Sequence, residues 1–229
     1  SAASDVYKRQ VSMATARRDC IALEDKGIIE RSWGGIQLVT SVDDHFGDVM
    51  NHHTQAKAAI ARKATELIHD GDTIIMDIGT TVHHLSGLLT GRSITVLTAS
   101  LPVFETLRTA PDVTVVVLGG VWSERYQCFD GQFVADALTR HQADLAFLGC
   151  SGVSANGRVR DTSRSQAYIK QAIIAAASRS YLLVDSEKFP GVGAHSPFTL
   201  EEVSGVITTG PLPPDFDAHC ESTVEVITA

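Results

Sequence analysis

Seven short runs of apolar, largely β-branched residues punctuate the chain: TIIMD at 73–77, ITVLT at 94–98, VTVVVLG at 113–119, ADLAFLG at 143–149, SYLLVD at 180–185, VSGVIT at 203–208 and TVEVIT at 223–228. Most do not alternate polar with apolar residues, as a strand with one wet face would, so they read as strands covered on both sides. The segments between them, such as TVHHLSGLL, LPVFETLR, GQFVADALTRH and SQAYIKQAIIAAASR, can each hold a helix. Strands alternating with helices predict an α/β fold with a mostly parallel sheet. A helix leads into this body: in QAKAAIARKATELIHDGD the residues Ala56, Ala59, Ile60, Ala64, Leu67 and Ile68 form one stripe, which stops at Asp70-Gly71-Asp72.

The runs end alike. Their carboxyl ends carry Asp77-Ile78-Gly79-Thr80-Thr81, Thr98-Ala99-Ser100, Gly119-Gly120, Gly149-Cys150-Ser151-Gly152 and Asp185-Ser186-Glu187-Lys188. In an open α/β sheet the ligand crevice lies outside those ends, so five polar or Gly-rich tails are expected to converge on one site. Gly79 lets the backbone approach closely, Thr80 and Thr81 add hydroxyls, and the following helix offers unpaired amides, which suits a phosphate. No Walker loop and no GxGxxG occurs, which disfavours a nucleoside triphosphate or a dinucleotide. Lys188 would supply a mobile cation. Ser100 and Ser151 either meet sugar oxygens or cap the next helix. Arg164, Gln166 and Lys170 are candidate lid groups, and Arg125 and Tyr126 are further candidates.

The amino-terminal stretch VSMATARRDCIALEDKGIIERSWGG, residues 11–35, has a different character. Ser12 can cap a helix whose apolar positions are Met13, Ala16, Cys20, Ile21 and Leu23, with Gly27 as the stop. Its other face carries Thr15, Arg17, Arg18 and Asp19. The strings IIER, SWGG and IQLV then turn like a small hairpin. A helix followed by a wing is the order of a winged helix-turn-helix, in which one helix enters a groove and guanidinium groups grip phosphates and guanine edges.

With 229 residues and 44% hydrophobic content, the chain can bury one substantial core plus a small module. The net charge is −8, but residues 1–35 hold six Lys/Arg against five Asp/Glu, and the remainder 13 against 22. That asymmetry suits a small phosphate-facing head on an acidic body. Cys20, Cys128, Cys150 and Cys220 show no paired spacing and read as free thiols in a reducing cytoplasm. His52-His53 and His83-His84 are neighbours that point in different directions, so no metal site or cofactor is expected. No run reaches the length of a membrane span, and no signal peptide is visible.

The first 35 residues resemble the recognition helix and wing of the DeoR family of bacterial repressors, through Ser12, Thr15, Arg17, Arg18, Asp19, Leu23, Glu24, Gly27, Arg31, Gly34 and Gly35. Cys20 and Trp33 depart from the usual Leu and His. Residues 55 to about 209 resemble the sensor domain of the same family, which is related in fold to ribose-phosphate isomerases and CoA-transferase-type proteins. The resemblance implies that DNA is read by Ser12, Thr15, Arg17, Arg18, Arg31, Trp33 and Gly34. It also implies an effector pocket for a phosphorylated sugar or polyol, built from Asp77, Gly79, Thr80, Thr81, Thr98, Ser100, Gly119, Gly120, Gly149, Gly152, Asp185, Lys188 and Phe189. Ala99, Ser151 and Gln166 stand where Asn, Asp and Glu are common, so the contacts to sugar hydroxyls differ from the usual ones.

The expected organisation is therefore a partial winged helix-turn-helix at 1–40, with 1–10 read as non-native, a linker at 41–54 and a sensor domain at 55–229. Family members place about two further helices ahead of the recognition helix. Only SAASDVYKRQ precedes it here, so weak or absent specific DNA binding is expected of this chain. An isomerase would need a positioned carboxylate base, for which Asp77, Asp161 and Asp185 are the candidates, but it has no use for a recognition helix. A cytoplasmic, effector-controlled repressor that works as a homo-oligomer on paired operator half-sites is the favoured reading, with no enzymatic activity.

Overall fold

The structure is a computed structural model and describes residues 15, 17–20, 29–32, 35–38, 45–191, 193–213, 216 and 224–229. The chain divides into two compact units, Ser1–Asp44 and His45–Ala229. In the first unit, residue 15 and residues 17–20 are helical, with Arg17 and Arg18 exposed. Strands β1 (Ile29–Ser32) and β2 (Gly35–Leu38) pair antiparallel, with Ile29 opposite Leu38 and Arg31 opposite Ile36. The wing read from the sequence is thus a hairpin. Ser12, Trp33 and Gly34, named above as DNA contacts, lie outside the described residues, as does the segment 1–10.

The second unit opens with α1 (Phe46–Met50) and α2 (Thr54–Thr65). The sequence predicts a linker over 41–54, yet α1 falls within it, and its first amide donates to the Arg125 carbonyl at 3.1 Å. Residues 46–50 of the segment are therefore docked on the body of the second unit. Of the expected stripe Ile60, Ala64 and Ile68 are buried and Leu67 packs on the core, but at the amino end of α2 the buried positions are Lys57 and Ala61, at i and i+4, with Ile60 and Ala64 at i+3 and i+7. A lysine stands where the sequence pattern points to an alanine.

The strands β3 (Thr73–Met76), β4 (Ile94–Thr98), β5 (Val113–Val117), β8 (Ala143–Leu148), β11 (Ala177–Leu183), β12 (Gly205–Thr208) and β13 (Glu225–Thr228) form one sheet in which every neighbouring pair is parallel. Their order across it is β13-β12-β11-β8-β3-β4-β5. All seven apolar runs are strands of this sheet. Between them lie α3 (Thr80–Ser86), α4 (Leu101–Leu107), α5 (Gln132–Leu138) and α6 (Arg164–Ala175). Two small hairpins complete the unit, β6 (Val121–Ser123) with β7 (Cys128–Asp130) and β9 (Gly152–Val153) with β10 (Val159–Arg160).

The absence of alternation in the runs has its reason in two apolar layers. Consecutive residues of a strand point to opposite faces. Ile75 joins the layer that contains Val134 and Leu138 of α5 and Ile169 and Ile173 of α6. Ile74 and Met76 join the layer that contains Ile60 of α2, Leu85 of α3 and Val103 of α4. Both faces of the inner strands β3, β4, β8 and β12 are dry, so nearly every position in them favours an apolar side chain, while the edge strands β5 and β13 are partly exposed.

The order of strands also fixes where a ligand can sit. From β3 the chain steps outward to β4 and β5, then returns to the other side of β3 to lay down β8, and continues outward to β11, β12 and β13. The direction reverses between β3 and β8. In open α/β sheets the crevice opens at such a switch point, outside the carboxyl ends of the two strands.

Candidate effector-binding site

At the switch point the tails of β3 and β8 are joined directly. Asp77 follows β3, is 2% exposed, and its Oδ2 accepts from the Gly149 amide beyond β8 at 3.0 Å. Its own amide donates to the Phe147 carbonyl at 3.0 Å. The same Oδ2 accepts from the Lys170 ammonium of α6, and Lys170 lies 3.5 Å from Asp161 Oδ2. Burial alone would lower the pKa of Lys170, but Asp77 and Asp161 outweigh it and hold the amine above the usual lysine range. A charged triad with one more carboxylate than ammonium therefore sits beneath the crevice.

Two of the proposed lid groups are thus placed differently from expectation. Lys170 is 2% exposed and Gln166 1%, both on the inner face of α6. They are fixed parts of the floor, because α6 packs its Gln166, Ile169, Lys170, Ile173 face on the sheet at helical spacing. Gln166 Nε2 reaches Cys128 Sγ at 3.7 Å, and its Oε1 has no hydrogen-bond partner. Arg164 lies at the start of α6 with its guanidinium over the Tyr168 ring, 6.0 Å from the centroid. The Arg125 guanidinium lies over Tyr126, whose hydroxyl is 3.1 Å from Thr162 Oγ1.

Gly79 caps α3 with φ +112°, a conformation that strains any side chain. Thr80 and Thr81 follow it, each 6% exposed. Thr98 is a structural brace. Its hydroxyl donates to the Met76 carbonyl at 2.8 Å and accepts from the Ser100 amide at 3.0 Å, which ties the tail of β4 to β3. Ser100 caps α4, its Oγ accepting from the Val103 amide at 3.4 Å. Ser151 donates to the Arg160 carbonyl at 2.9 Å, so it neither caps a helix nor offers a free proton. Gly119 and Gly120 form the tail of β5. A Cβ on Gly120 would fall 2.4 Å from the Asp130 carbonyl oxygen, so this glycine serves the approach of the β6–β7 hairpin.

On the other flank, Asp185 follows β11 and caps the turn Ser186–Lys188, accepting from the Glu187 amide at 3.1 Å through Oδ1. Its Oδ2 is buried without a partner, as is Oδ1 of Asp77. Lys188 donates to the Cys150 carbonyl at 2.6 Å, which holds the β11 tail against the β8 tail. Gly191 strengthens that seam by donating to the Val153 carbonyl of β9 at 2.8 Å, next to Gly152. Phe189, 8% exposed, packs edge-on against Phe216 below it. Burial pushes the thiols up, Cys128 to about 12 and Cys150 to about 11, so both stay protonated.

The residues brought together are therefore Asp77, Gly79, Thr80, Thr81, Gly149, Gly152, Asp185 and Lys188, while Thr98, Ser100 and Gly120 brace them. Reasoning from the sequence missed Lys57. It is 1% exposed, its ammonium donates to the Val49 carbonyl at 2.5 Å, and Lys188 and Asp185 act on it electrostatically. The signal was present, since position 57 completes the 57, 60, 61, 64 spacing. It went unread because a lysine within an apolar stripe is usually assigned to solvent.

Comparison with known proteins settles the family. The DeoR C terminal sensor domain matches residues 52–209, and the DeoR-like helix-turn-helix domain matches residues 6–42. The chain belongs to the DeoR family. Among DeoR-family relatives, the lactose phosphotransferase system repressor of Lactococcus lactis is 36% identical over 185 residues, covering 78% of this chain and 72% of that protein. The glycerol-3-phosphate regulon repressor of Escherichia coli is 31% identical over 205 residues, covering 89% and 81%. The L-fucose operon activator of Haemophilus influenzae is 29% identical over 213 residues, covering 92% and 86%. Among solved structures, ribose 5-phosphate isomerase A of Methanocaldococcus jannaschii superposes with a TM-score of 0.44 and 16% identity, covering 59% of this chain and 54% of that one. This DeoR-family chain is a DNA-binding transcriptional regulator with a sensor domain. Among the described residues no helix is long and apolar enough to cross a membrane, and no group of three or more His, Cys, Asp or Glu could hold a metal.

Proposed function

We propose that the chain represses a sugar or polyol catabolic operon and that a phosphorylated sugar or polyol, bound at the switch point, controls its affinity for operator DNA. The observation that carries this is the joining of three strand tails at the switch point, where the Gly149 amide donates to Asp77 Oδ2 and Lys188 donates to the Cys150 carbonyl. Beside them Asp77 Oδ1 and Gln166 Oε1 are buried and lack donors. A buried acceptor without a donor is costly, and a hydroxyl group of a sugar would satisfy it. The same tails carry the Lys188 ammonium and the Gly79-Thr80-Thr81 turn, groups suited to a phosphate. A phosphorylated polyhydroxy compound supplies both hydroxyl donors and a phosphate. The names of the lactose and glycerol-3-phosphate repressors agree with such an effector.

Regulation follows from linkage. An effector that favours one arrangement of the protein over another shifts operator affinity by the same factor that operator binding shifts effector affinity, and a coupling of about 1–3 kcal/mol suffices. Paired half-sites require a symmetric homo-oligomer, which light scattering at micromolar concentration would detect. We take the chain to have no isomerase activity: Asp77 Oδ2 is held by Lys170 and Gly149, and Asp185 caps its own turn.

The test is a thermal-shift panel of inorganic phosphate, glycerol 3-phosphate, ribose 5-phosphate and the hexose 6-phosphates, each beside its unphosphorylated parent. A ligand at 100 times its Kd stabilises by about 2.7 kcal/mol, and a unit of this size gains about 2–4 °C per kcal/mol. A phosphate ester is expected to raise Tm by about 5–10 °C, its parent sugar not at all, and Lys188→Met to remove most of the gain. Equal stabilisation by esters and parent sugars, or none by any ester, would overturn the reading.

A further inference from the structure

Lys57 is among the largest fully buried side chains, yet it makes one hydrogen bond, to the Val49 carbonyl, out of the three an ammonium can donate. The charges around it come from several elements. Lys188 and Asp185 stand on the turn after β11, and His84 stands on α3. At the amino end of α2, His53 pairs with Glu187 at 3.3 Å. β12 and β13 also pack on α2, and Glu225 of β13 is exposed. Lys57 thus feels one ammonium, Lys188, and one carboxylate, Asp185, whose Oδ2 lacks a partner. α2 packs directly against α3, where His84, which feels the Lys57 charge, lies four residues after Thr80 and three after Thr81 on the same helix face.

We propose that Lys57 and Lys188 form a two-ammonium clamp for the dianionic phosphate of the effector, and that binding brings a proton to Lys57. This rests on the phosphosugar reading of the site. In the free protein burial, and after it the charge of Lys188, lower Lys57 to about 8 against the pull of Asp185. A bound dianion gives its unspent donors charge-assisted partners and offsets Lys188, so the complex keeps its proton to higher pH. The bound state therefore holds more protons than the free state above pH 8. Affinity is full below that pH and is lost as pH rises through it, by about tenfold between pH 7 and pH 9. Phosphate esters lose their second proton near pH 6 and do not titrate in that window. His84 is lowered by burial and then by Lys57, which keeps it neutral there, and Cys150 is pushed up to about 11, beyond it.

The experiment follows the side-chain NMR signal of Lys57, assigned through Lys57→Arg, against pH in saturating inorganic phosphate and in chloride of equal ionic strength. The expected midpoint lies near pH 8 in chloride and at least one unit higher in phosphate. Equal midpoints would refute the clamp. Should the midpoints agree while an ester on the panel still raises Tm, the clamp falls and the phosphosugar reading stands; should no ester raise Tm, both fall. Lys57→Arg keeps its charge at every accessible pH, so its affinity for the most stabilising ester is expected to vary less than twofold between pH 7 and pH 9. A tenfold decline persisting in that variant would remove Lys57 as the proton acceptor.

Discussion

Lys170→Met is expected to destabilise the sensor unit by about 3–5 kcal/mol, the usual effect of leaving a buried charge without its partner. Asp77 and Asp161 are the charges left behind. Asp77 is 2% exposed and keeps only the Gly149 amide on Oδ2, while Asp161, 8% exposed, retains the Ser163 amide on Oδ1. Asp77 is too poorly hydrated to bear its charge on that one donor. The effect belongs to the broken pairing and not to lost volume, because methionine nearly fills the lysine stem. Adding Asp77→Asn and Asp161→Asn to Lys170→Met is therefore expected to restore a large part of the loss. Urea denaturation of the single and triple variants measures it. A single variant within about 1 kcal/mol of the parent would show that the triad is better hydrated than its burial indicates.

The second large effect is expected from Phe147→Ala, about 3–5 kcal/mol. Phe147 is 0% exposed on β8, the central strand beside the switch point, and its ring stacks on Tyr181 at 6.2 Å between centroids. Truncation leaves a cavity in the apolar layer that Phe147 shares with Ile60 of α2, Leu85 of α3 and Tyr181 of β11, which cannot fully collapse without moving a helix against the sheet. Its carbonyl also anchors the Asp77 amide, so slack in β8 passes directly to the site. Phe133→Ala is the matched control: this ring is 73% exposed, and its loss is expected to change stability by less than about 0.5 kcal/mol. Comparable losses from both would contradict the two-layer core.

The sheet was legible because burial on both faces leaves an unusual imprint, apolar runs such as ITVLT and ADLAFLG with no alternation. The tails were legible for a related reason: a parallel sheet puts every carboxyl end on one rim, so the polar residues that close each run mark that rim. What the sequence concealed were contacts between distant positions. Ser100, read either as a ligand hydroxyl or as a helix cap, caps α4, and Thr98, read as a ligand hydroxyl, braces β4 on β3, because a hydroxyl beside an exposed carbonyl and one beside a buried carbonyl read alike in a string of letters. Lys170 looked like a lid group, and only the fold places it against Asp77, 93 residues away. Lys57 was hidden by the ordinary rule that lysines face water, which fails at this buried helix position, where the ammonium donates to the Val49 carbonyl.

The most direct test of the site is the map of backbone amide NMR shifts produced by the most stabilising phosphate ester. Perturbations concentrated at Gly79, Thr80, Thr81, Gly149, Asp185 and Lys188, with smaller ones at Ala143 and Ala177 on the opposite ends of β8 and β11, are the expected result. Perturbations concentrated instead along the groove between α5 and α6, at Gln132, Ala135, Arg164 and Tyr168, with the switch point silent, would contradict it.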